Sequence, residues 1–490
     1  MADTIDAAGS IRFGTPAARW VVAATVLGSG VAFLDGTVVN VAMPAIAEDL
    51  DAGITGLQWV LDSYLVTLSS LLLLGGSLGD LYGRRRVYQL GLAGFALTSL
   101  GCALAPNIGA LIAARAVQGV AAAMLVPGSL AILSAVFHPD DRARAVGAWS
   151  GLGGVATAIG PFAGGWLIDS ASWRWIFVIN LPIAAAAYAM TAKHVPETRD
   201  RPGERMEPDF PGAIAVSLGL AGACYALIEG PVHVNAAVVA AGVIGVGGIV
   251  AFVLIEQRSK QPMLPLDIFK SAQFTGANLT TFAVYSGLGA AFFLLTLQLQ
   301  LVLGYSALEA GSSLLPVTLC MLLLSARAGA LAQRIGPRLP MTVGPLVVAV
   351  GLLLFTRVEP GQSYLGAVLP AALVFGLGLA TTVAPLTSAV LAAVDDHHLG
   401  VGSGVNNAVS RVAGLLAVAV LPAVAGLDTS SAEGVSDGFA TAMVVSAVLC
   451  AAGGGVAFLT VRRGRPHASV TQASVLQPCH APCVASDQAA

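Results

Sequence analysis

The sequence contains very little charge. Only 10% of its 490 residues are Asp, Glu, Lys or Arg, whereas an ordinary soluble protein has about 25%. Hydrophobic residues make up 56% of the chain and occur in long runs. This composition excludes an ordinary soluble globular protein and indicates a polytopic membrane protein.

Several chemical signatures are also missing. The chain has no G-x-x-x-x-G-K-[ST] loop, which would cradle nucleotide phosphates, and its apolar runs hold no His/Asp or Cys/His constellation. We therefore predict neither a nucleotide-driven pump nor an enzyme, and we expect no cofactor. A proton gradient is the predicted energy source. The N-terminus also lacks the pattern of a cleaved signal peptide, so the first apolar run is expected to stay in the membrane.

Cysteine is scarce, with six residues in the chain. Four of them lie in apolar runs, where cysteine usually behaves as a small hydrophobe: Cys102, Cys224, Cys320 and Cys450. Cys479 and Cys483 lie beside His480 in a polar tail. A metal site there is an open alternative, but the composition favours a disordered tail, and we expect no metal.

Fourteen apolar runs are long enough to cross a membrane, which takes about 20 residues. They lie at 19–43, 57–79, 87–105, 107–130, 145–169, 173–192, 211–230, 234–255, 274–300, 309–332, 340–358, 363–391, 401–425 and 438–461. Runs rich in Gly and Pro could form broken helices. The runs predict an all-α integral membrane protein with fourteen transmembrane helices.

The placement of Lys and Arg agrees with this count. If the N-terminus is cytoplasmic, 19 of the 24 basic residues fall on the cytoplasmic side, and only Arg174 and Arg357 fall outside. Such a bias is typical of membrane proteins. The sequence therefore predicts a multi-pass protein with both termini in the cytoplasm. High Ala and Gly content, with Arg used in place of Lys, favours a bacterial plasma membrane.

A repeated segment divides the chain. GSLGDLYGRR (76–85) follows the second run, and GALAQRIGPR (329–338) follows the tenth run with the same Gly, Leu and Arg spacing. Many transporters are built from such repeats, although Gly and Arg could simply recur at helix ends. The predicted organisation is a cytoplasmic N-terminus at 1–18, a six-helix bundle at 19–193, a two-helix insert with basic flanks at 194–272, a second six-helix bundle at 273–461 and a disordered cytoplasmic tail at 462–490.

Three charged residues of the first bundle fall inside apolar runs. Asp35, Asp62 and Arg115 lie roughly 13, 9 and 12 Å from the outer ends of their runs, and such residues are costly unless they have a function. A buried carboxyl group near an arginine can bind and release a proton as its surroundings change. We therefore predict proton coupling by these three residues. A static Asp–Arg pair is the alternative, and Asp62 could instead be interfacial.

Other polar residues in the runs are candidate substrate contacts: Asn40, Gln118, Gln298, Asn406 and Arg411. Gln118 follows Arg115 by three residues, so it lies on the same helix face and can orient the guanidinium group. Gln298 and Asn406 could line a cavity or form helix–helix hydrogen bonds. Arg411 could contact substrate, pair across an interface or snorkel to the surface.

Two glycine-containing segments suggest conformational change. Gly76, Asp80, Gly83, Arg84 and Arg85 form a loop that could act as a gating latch, although the arginines also suit simple membrane anchoring. In the fifth run, Gly160 and Pro161 predict a bend, and Gly164 and Gly165 permit close helix approach. This segment could be a hinge or a tightly packed static contact.

These motifs together resemble the major facilitator superfamily, and specifically its fourteen-span drug:proton antiporter branch. The loop motif is matched by Gly76, Leu78, Asp80, Gly83, Arg84 and Arg85, while Gln333 replaces the acidic residue in the second copy. The fourth-span motif is matched by Arg115, Gln118 and Gly119, and the first-span motif by Asp35, Thr37, Asn40 and Pro44. The antiporter motif is matched by Gly147, Gly160, Pro161, Gly164 and Gly165.

The resemblance implies two six-helix bundles plus two inserted helices. It also implies a proton-coupled efflux transporter that exports amphipathic drugs or antibiotics by alternating access. A carrier that exports one endogenous metabolite or lipid is the alternative. Some members of the branch use acidic residues in the thirteenth span to accept dications, but this chain has Arg411 there, which favours neutral, monocationic or anionic amphipaths. The expected partners are substrate, protons and the lipid bilayer, with no nucleic acid, and the chain is expected to act as a monomer.

Overall fold

The predicted all-α fold is confirmed. The computed structural model describes residues 11–199, 208–259, 262–394, 399–427 and 432–462, and these contain no β-strand, only one isolated bridge. Fourteen long helices cover them: α1 Pro16–Asp49, α2 Ile54–Tyr82, α3 Arg84–Ala103, α4 Ile108–Val136, α5 Pro139–Ser170, α6 Trp175–His194, α7 Phe210–Glu229, α8 Ala236–Arg258, α9 Ala272–Val302, α10 Ala307–Ile335, α11 Arg338–Phe355, α12 Tyr364–Leu391, α13 Leu399–Val424 and α14 Ala432–Thr460. Of the predicted tail at 462–490, all residues after 462 lie outside the described residues.

Thirteen of the fourteen helices are long and apolar enough to be candidate membrane spans. The exception, α3, begins with Arg84, Arg85 and Arg86, which lower its mean hydropathy. The rest of α3 is largely apolar, and it packs against α4 and α6 as its position in the bundle requires. The fold is therefore that of a multi-pass membrane protein.

Several helices extend beyond their predicted ends. α1 has 34 residues and α5 has 32, which at about 1.5 Å per residue exceeds the roughly 30 Å of hydrocarbon. The apolar run reports only the part of a helix that lies within the membrane, so it does not include the polar turns at either end. Side chains fix these starts: Thr15 caps α1, and Ser306 and Glu309 form a reciprocal capping box on α10.

Four helices are irregular, but not the Gly-rich α5, which continues through Pro161. α6 consists of Trp175–Val178 and Asn180–His194, and α10 consists of Ala307–Ser312 and Leu315–Ile335. α9 ends in a π-helical turn, and α12 begins with one. The irregular turns lie near the starts of α6, α10 and α12 and at the end of α9. In an antiparallel arrangement these helix ends are on the side of the protein away from the chain termini.

The first six and the last six helices pack in the same pattern. α1 packs against α5 and α6, α2 against α4, and α3 against α4 and α6. Eight helices later, α9 packs against α13 and α14, α10 against α12, and α11 against α12 and α14. We call α1–α6 the N-terminal set and α9–α14 the C-terminal set. The shared pattern supports the predicted repeat, while the predicted domain boundaries stay a prediction.

An even number of antiparallel helices places the start of α1 and the end of α14 on one face, here called the terminal face. Polar contacts join the two sets near the opposite face. The Asp169 carboxylate at the end of α5 accepts hydrogen bonds from the backbone N–H of Ala307 and Leu308, at 3.1 and 2.9 Å. Gln300 of α9 donates to the Val41 carbonyl of α1 at 2.9 Å. The two sets are thus tied together on the face remote from the termini.

The buried apolar core divides in the same way. One cluster near the opposite face contains residues of both sets, such as Leu34 and Ile176 with Phe293 and Phe355. Toward the terminal face the core separates into one cluster within the N-terminal set and another within the C-terminal set. Because burial of apolar surface is the main stabilising contribution, the shared apolar core joins the two sets mainly near the opposite face.

The N-terminal and C-terminal sets meet along a boundary that we call the seam. α7 and α8 form a pair that packs against α2 and α13, beside this seam. Trp59 of α2 donates its indole N–H to the Glu229 carboxylate at the end of α7, at 3.1 Å. Small residues on both helices allow their close approach, and a Cβ at Gly219 would lie 2.8 Å from the backbone nitrogen of Ile249. The inserted pair therefore lies outside the two repeated sets.

Candidate functional site

A buried ion pair lies in the middle of the N-terminal set. Arg115 of α4 donates from Nη1 to Oδ2 of Asp35 on α1, and both side chains are fully buried. The predicted proximity of these two charges is therefore present in the structure. Gly119, one turn after Arg115, lets α4 approach α2, since a Cβ there would collide with the Tyr64 carbonyl and the Thr67 hydroxyl.

Uncharged polar side chains surround the Asp35 carboxylate. Its Oδ1 accepts hydrogen bonds from Gln118 Nε2 at 3.2 Å and from Asn180 Nδ2 at 3.1 Å. Both amides also donate to Ser99 Oγ, at 2.8 and 3.2 Å. Four helices, α1, α3, α4 and α6, thus contribute to one network. Most of the buried donors and acceptors pair with one another, whereas Asn180 Oδ1 has no hydrogen-bond partner among the described residues.

The guanidinium group of Arg115 has further partners. Its Nη1 donates to Gln118 Oε1 at 2.7 Å, so Gln118 orients the guanidinium as predicted, and its Nε donates to the Val60 carbonyl at 3.1 Å. Its Cζ lies 4.2 Å from the centre of the Tyr64 ring, a cation–π distance. The remaining nitrogen, Nη2, has no hydrogen-bond partner among the described residues.

Ser99 and Asn180 were not identified from the sequence. Asn180 lies in the WRWIFVINLP segment and Ser99 in an apolar run, and neither position has a sequence feature that marks it as functional. A single hydroxyl or amide in a membrane helix usually serves helix packing. Only the three-dimensional arrangement reveals that both groups surround the carboxylate.

Asp62 lies apart from this network. It is fully buried on α2, and neither of its carboxylate oxygens has a hydrogen-bond partner among the described residues. Trp59, three residues before Asp62, donates a hydrogen bond to Glu229 of α7. Val66, four residues after Asp62, packs in an apolar cluster with residues of α7. Asp62 therefore lies on the face of α2 that packs against the insert, and only two of the three predicted charges are paired.

The predicted latch is an ordered turn between α2 and α3. Arg84 pairs with Asp80 at 2.7 Å within the N-terminal set. Gly83 has a φ of 109°, and a Cβ there would lie 2.7 Å from Oε1 of Glu197, so glycine is required. Glu197, which the sequence did not single out, accepts from the Arg85 backbone N–H at 3.1 Å. The segment after α6 thus supports the latch.

The glycines of the antiporter motif lie at helix contacts. A Cβ at Gly160 or Gly164 would meet α1, at the side chains of Thr37 and Val38 respectively. A Cβ at Gly165 would lie 2.5 Å from the Ala307 carbonyl oxygen of α10. The motif thus packs α5 closely against its own set and against the C-terminal set, whereas a Cβ at Gly147 would meet no atom within 4 Å. Pro161 lies within the same helix.

Three of the predicted substrate contacts already form hydrogen bonds within the protein. Asn406 donates to Asn278 Oδ1 at 3.2 Å and to Thr281 Oγ1 at 2.7 Å. Gln298 donates to the Val358 carbonyl at 2.8 Å, and Asn40 donates within its own helix. These amides already have partners, so their availability for substrate is limited.

Arg411 is different. It is half-buried on α13, and its guanidinium carbon lies 5.8 Å from the centre of the Phe33 ring on α1. In the described part of the chain no carboxylate lies within 4.0 Å of its nitrogens. The same part of the chain contains no group of three side chains suited to hold a metal ion.

Known proteins resemble this chain over most of its length. The family described as Major Facilitator Superfamily matches residues 25–418. The puromycin resistance protein pur8 of Streptomyces alboniger is 37% identical over 79% of this chain and 78% of that protein. The methylenomycin A resistance protein of Bacillus subtilis is 35% identical over 87% of this chain and 91% of that protein. The multidrug resistance protein Stp of Mycobacterium tuberculosis is 35% identical over 82% and 74%.

Solved structures show the same fold at low sequence identity. The POT family transporter PepTSo matches with a TM-score of 0.67 at 15% identity, over 91% of this chain and 97% of that one. A bacterial homologue of the lysosomal transporter Spinster matches with a TM-score of 0.66 at 14% identity, over the same shares. The chain is a multi-pass membrane transporter that belongs to the Major Facilitator Superfamily and is related to drug-resistance exporters.

Proposed function

We propose that the chain exports amphipathic drugs or antibiotics in exchange for protons. The observation that carries this proposal is the buried Asp35–Arg115 pair with its surrounding amides. The export of antibiotics is proposed from the relatives, two of which are named for resistance to puromycin and to methylenomycin A. No chemical conversion of the substrate is required.

The terminal face is proposed to be cytoplasmic. Its loops carry basic side chains such as Arg84, Arg85, Arg86, Arg142 and Arg144, and cytoplasmic loops of membrane proteins are enriched in Lys and Arg. In this orientation the apolar core is continuous near the outside and divided near the cytoplasm. That distribution supports a conformation that is open to the cytoplasm.

Transport is proposed to occur by rocking of two bodies, residues 19–193 and 273–461, about the site between them. Closing the cytoplasmic side requires that the contacts at the opposite face separate. Those contacts are hydrogen bonds of Asp169 and Gln300, close backbone packing at Gly165 and the apolar cluster that the two sets share. The turn around Asp80 and Gly83 is proposed to hold one of the two states.

Asp35 is proposed to carry the exchanged proton. Its oxygens accept three hydrogen bonds in the present arrangement, one of them from the Arg115 guanidinium. A proton on Asp35 would remove the charge that Arg115 neutralises and would change the hydrogen bonding between α1, α4 and α6. The two protonation states therefore favour different helix arrangements, which is what coupling requires. Asp62, buried with no hydrogen-bond partner among the described residues, is proposed as a second proton-exchanging carboxyl group.

The proposal can be tested in inverted membrane vesicles with an acidic interior and a fluorescent pH probe. Neutral, monocationic, dicationic and anionic amphipaths would be added to vesicles that contain wild type, Asp35→Asn or Asp437→Asn. Asp437 is an exposed carboxylate near the start of α14 and serves as the matched control. We expect substrate-induced proton release in wild type and in Asp437→Asn, and its loss in Asp35→Asn.

Other outcomes would change the proposal. Equal proton release in Asp35→Asn and wild type would show that Asp35 does not couple transport. A response to only one compound class, with no protection of cells against other drugs, would favour the carrier of a single endogenous metabolite. No response to any compound would contradict drug:proton exchange in this chain.

A further inference from the structure

One face of α13 lies against the N-terminal set along most of its length. A Cβ at Gly404 would lie 2.9 Å from the Leu73 side chain, Arg411 lies over the Phe33 ring, and the Val418 carbonyl accepts from Gln58 at 2.6 Å. The helical spacing of these positions places them in one stripe. Arg411 therefore faces the seam between the two sets, in the layer of α1 that also holds Asp35.

Arg411 lies too deep to reach the membrane surface. It is twelve residues from the start of α13 and thirteen from its end, or about 18–20 Å from either end at 1.5 Å per residue. A cation at this depth is costly in a membrane unless it has a partner. Snorkelling, one of the interpretations left open by the sequence, requires a position near a helix end and does not apply to Arg411.

The carboxylates of the first set do not neutralise Arg411. Asp35 is paired with Arg115, and neither oxygen of Asp62 has a hydrogen-bond partner among the described residues. Arg411 therefore has no carboxylate partner of its own among the described residues. By contrast, Arg327 of α10 is exposed and donates to the Leu323 carbonyl of its own helix.

The side chains of two further polar residues near Arg411 form no hydrogen bond with the described part of the chain. Asn407 lies one turn earlier on the same face of α13, and no side-chain hydrogen bond to it occurs within the described ranges. Tyr285 of α9 lies close enough to Arg411 to interact electrostatically, and so does Tyr64 of α2. With the Phe33 ring, these groups combine donors for an anion with aromatic surface.

We propose that Arg411, assisted by Asn407 and Tyr285, binds the anionic group of a carboxylate-bearing amphipath. This inference rests on the proposed transport function and names its substrate class. A guanidinium group can donate two parallel hydrogen bonds to a carboxylate, which is among the strongest polar contacts available to a protein. The partly exposed ring of Phe33 accommodates the apolar part of such a molecule, and a dication is repelled.

The test measures equilibrium binding, so it does not depend on transport. The full chain in phosphatidylcholine nanodiscs, without anionic lipid, would be titrated with three fluorescent probes of one ring system: 1-pyrenebutyrate, its methyl ester and the corresponding trimethylammonium compound. We expect wild type to bind the carboxylate about tenfold more tightly than the ester, and the cation least well. Arg411→Gln should lose this preference while its affinity for the ester stays unchanged.

Two variants separate recognition from folding. Arg411→Lys keeps the charge and should retain part of the preference for the carboxylate, and Arg327→Gln should match wild type. Equal or absent binding of the carboxylate and the ester in wild type would overturn the inference. The inference would also be overturned if Arg411→Gln and Arg411→Lys both lowered the affinity for the carboxylate and the ester by the same factor. Arg411 would then act on packing and not on recognition.

The two proposals fail in different ways. Proton release that depends on Asp35, together with no preference for the carboxylate probe, would overturn the anion site and leave proton-coupled transport standing. A preference for the carboxylate that depends on Arg411, together with no substrate-induced proton release, would overturn the proposed coupling and leave the binding site standing.

Discussion

The N-terminal and C-terminal sets share one packing pattern but differ in their buried charge. In the N-terminal set, α1 and α4 carry Asp35 and Arg115, which pair within a network of amides and a hydroxyl. α9 and α12 pack together as α1 and α4 do, yet neither contains a charged residue. The C-terminal set instead contributes Arg411 from α13. The repeat thus preserves the architecture, while the proposed proton-carrying Asp35 and the proposed anion-binding Arg411 lie in different sets.

The two copies of the loop motif show the same division. Gly83 and Gly336 occupy equivalent positions, and both have positive φ values, 109° and 89°. The backbone turn is therefore repeated. The acidic residue is not, since Asp80 pairs with Arg84 in the first copy, whereas the second copy has Gln333. Both sets therefore share the geometry of the turn, whereas only the N-terminal set has the acidic residue.

The largest expected effect comes from breaking the buried pair. Arg115→Gln leaves Asp35 without its counter-ion in a dry site, which should lower the free energy of unfolding by about 3–5 kcal/mol and abolish substrate-driven proton release. Thermal unfolding in detergent and the vesicle assay would measure the two effects. Arg327→Gln is the control. If the double variant Asp35→Asn/Arg115→Gln regains stability but not transport, the pair has a functional role. Unchanged transport in Arg115→Gln would contradict that role.

The second effect concerns the seam between the sets. Gly165→Ala places a methyl group 2.5 Å from the Ala307 carbonyl and 2.6 Å from the Leu308 Cα, which are backbone atoms that cannot easily move. Such overpacking costs about 1–3 kcal/mol, so we expect the opposite face to open. Alkylation of a cysteine introduced as Leu308→Cys, with a reagent that does not cross membranes, should become several times faster. Gly147→Ala should leave the rate unchanged, and equal rates in the two variants would contradict the closed seam.

Amide side chains in the two sets should respond differently to truncation. Gln118→Ala removes a donor to Asp35 and an acceptor from Arg115, so it should slow transport about tenfold. Asn406→Ala removes only helix–helix hydrogen bonds, so it should lower the free energy of unfolding by about 1 kcal/mol with little change in transport. Initial rates and thermal unfolding would be compared. A larger transport defect in Asn406→Ala would reverse the assigned roles.

The sequence was sufficient for the helix count and for the central pair. Apolar runs identify membrane helices because the bilayer thickness sets their length, and Asp35 and Arg115 stand out because buried charge is costly. The ends of α1 and α5 could not be predicted, since those turns extend beyond the apolar region. The rotation of a helix about its axis is also undetermined in a uniformly apolar run. For that reason the sequence groups Asp62 with Arg115, whereas Asp62 lies on the face of α2 toward the insert.

The smallest expected effect is the loss of stability when the glycine of each repeated turn is replaced. Comparing the two turns distinguishes the cost of backbone geometry from the cost of side-chain contacts. Gly83 and Gly336 combine positive φ with extended ψ values of 124° and 154°, a backbone region that is occupied almost only by glycine. Both Gly83→Ala and Gly336→Ala should therefore lose about 1–3 kcal/mol of stability in thermal unfolding. Gly83→Ala should cost more, because the new Cβ would also lie 2.7 Å from Oε1 of Glu197. Adding Glu197→Ala to each variant isolates that contact, since it should reduce the loss in Gly83→Ala and leave the loss in Gly336→Ala unchanged. Equal losses throughout would mean that Glu197 does not support the first turn and that the two copies differ only in charge.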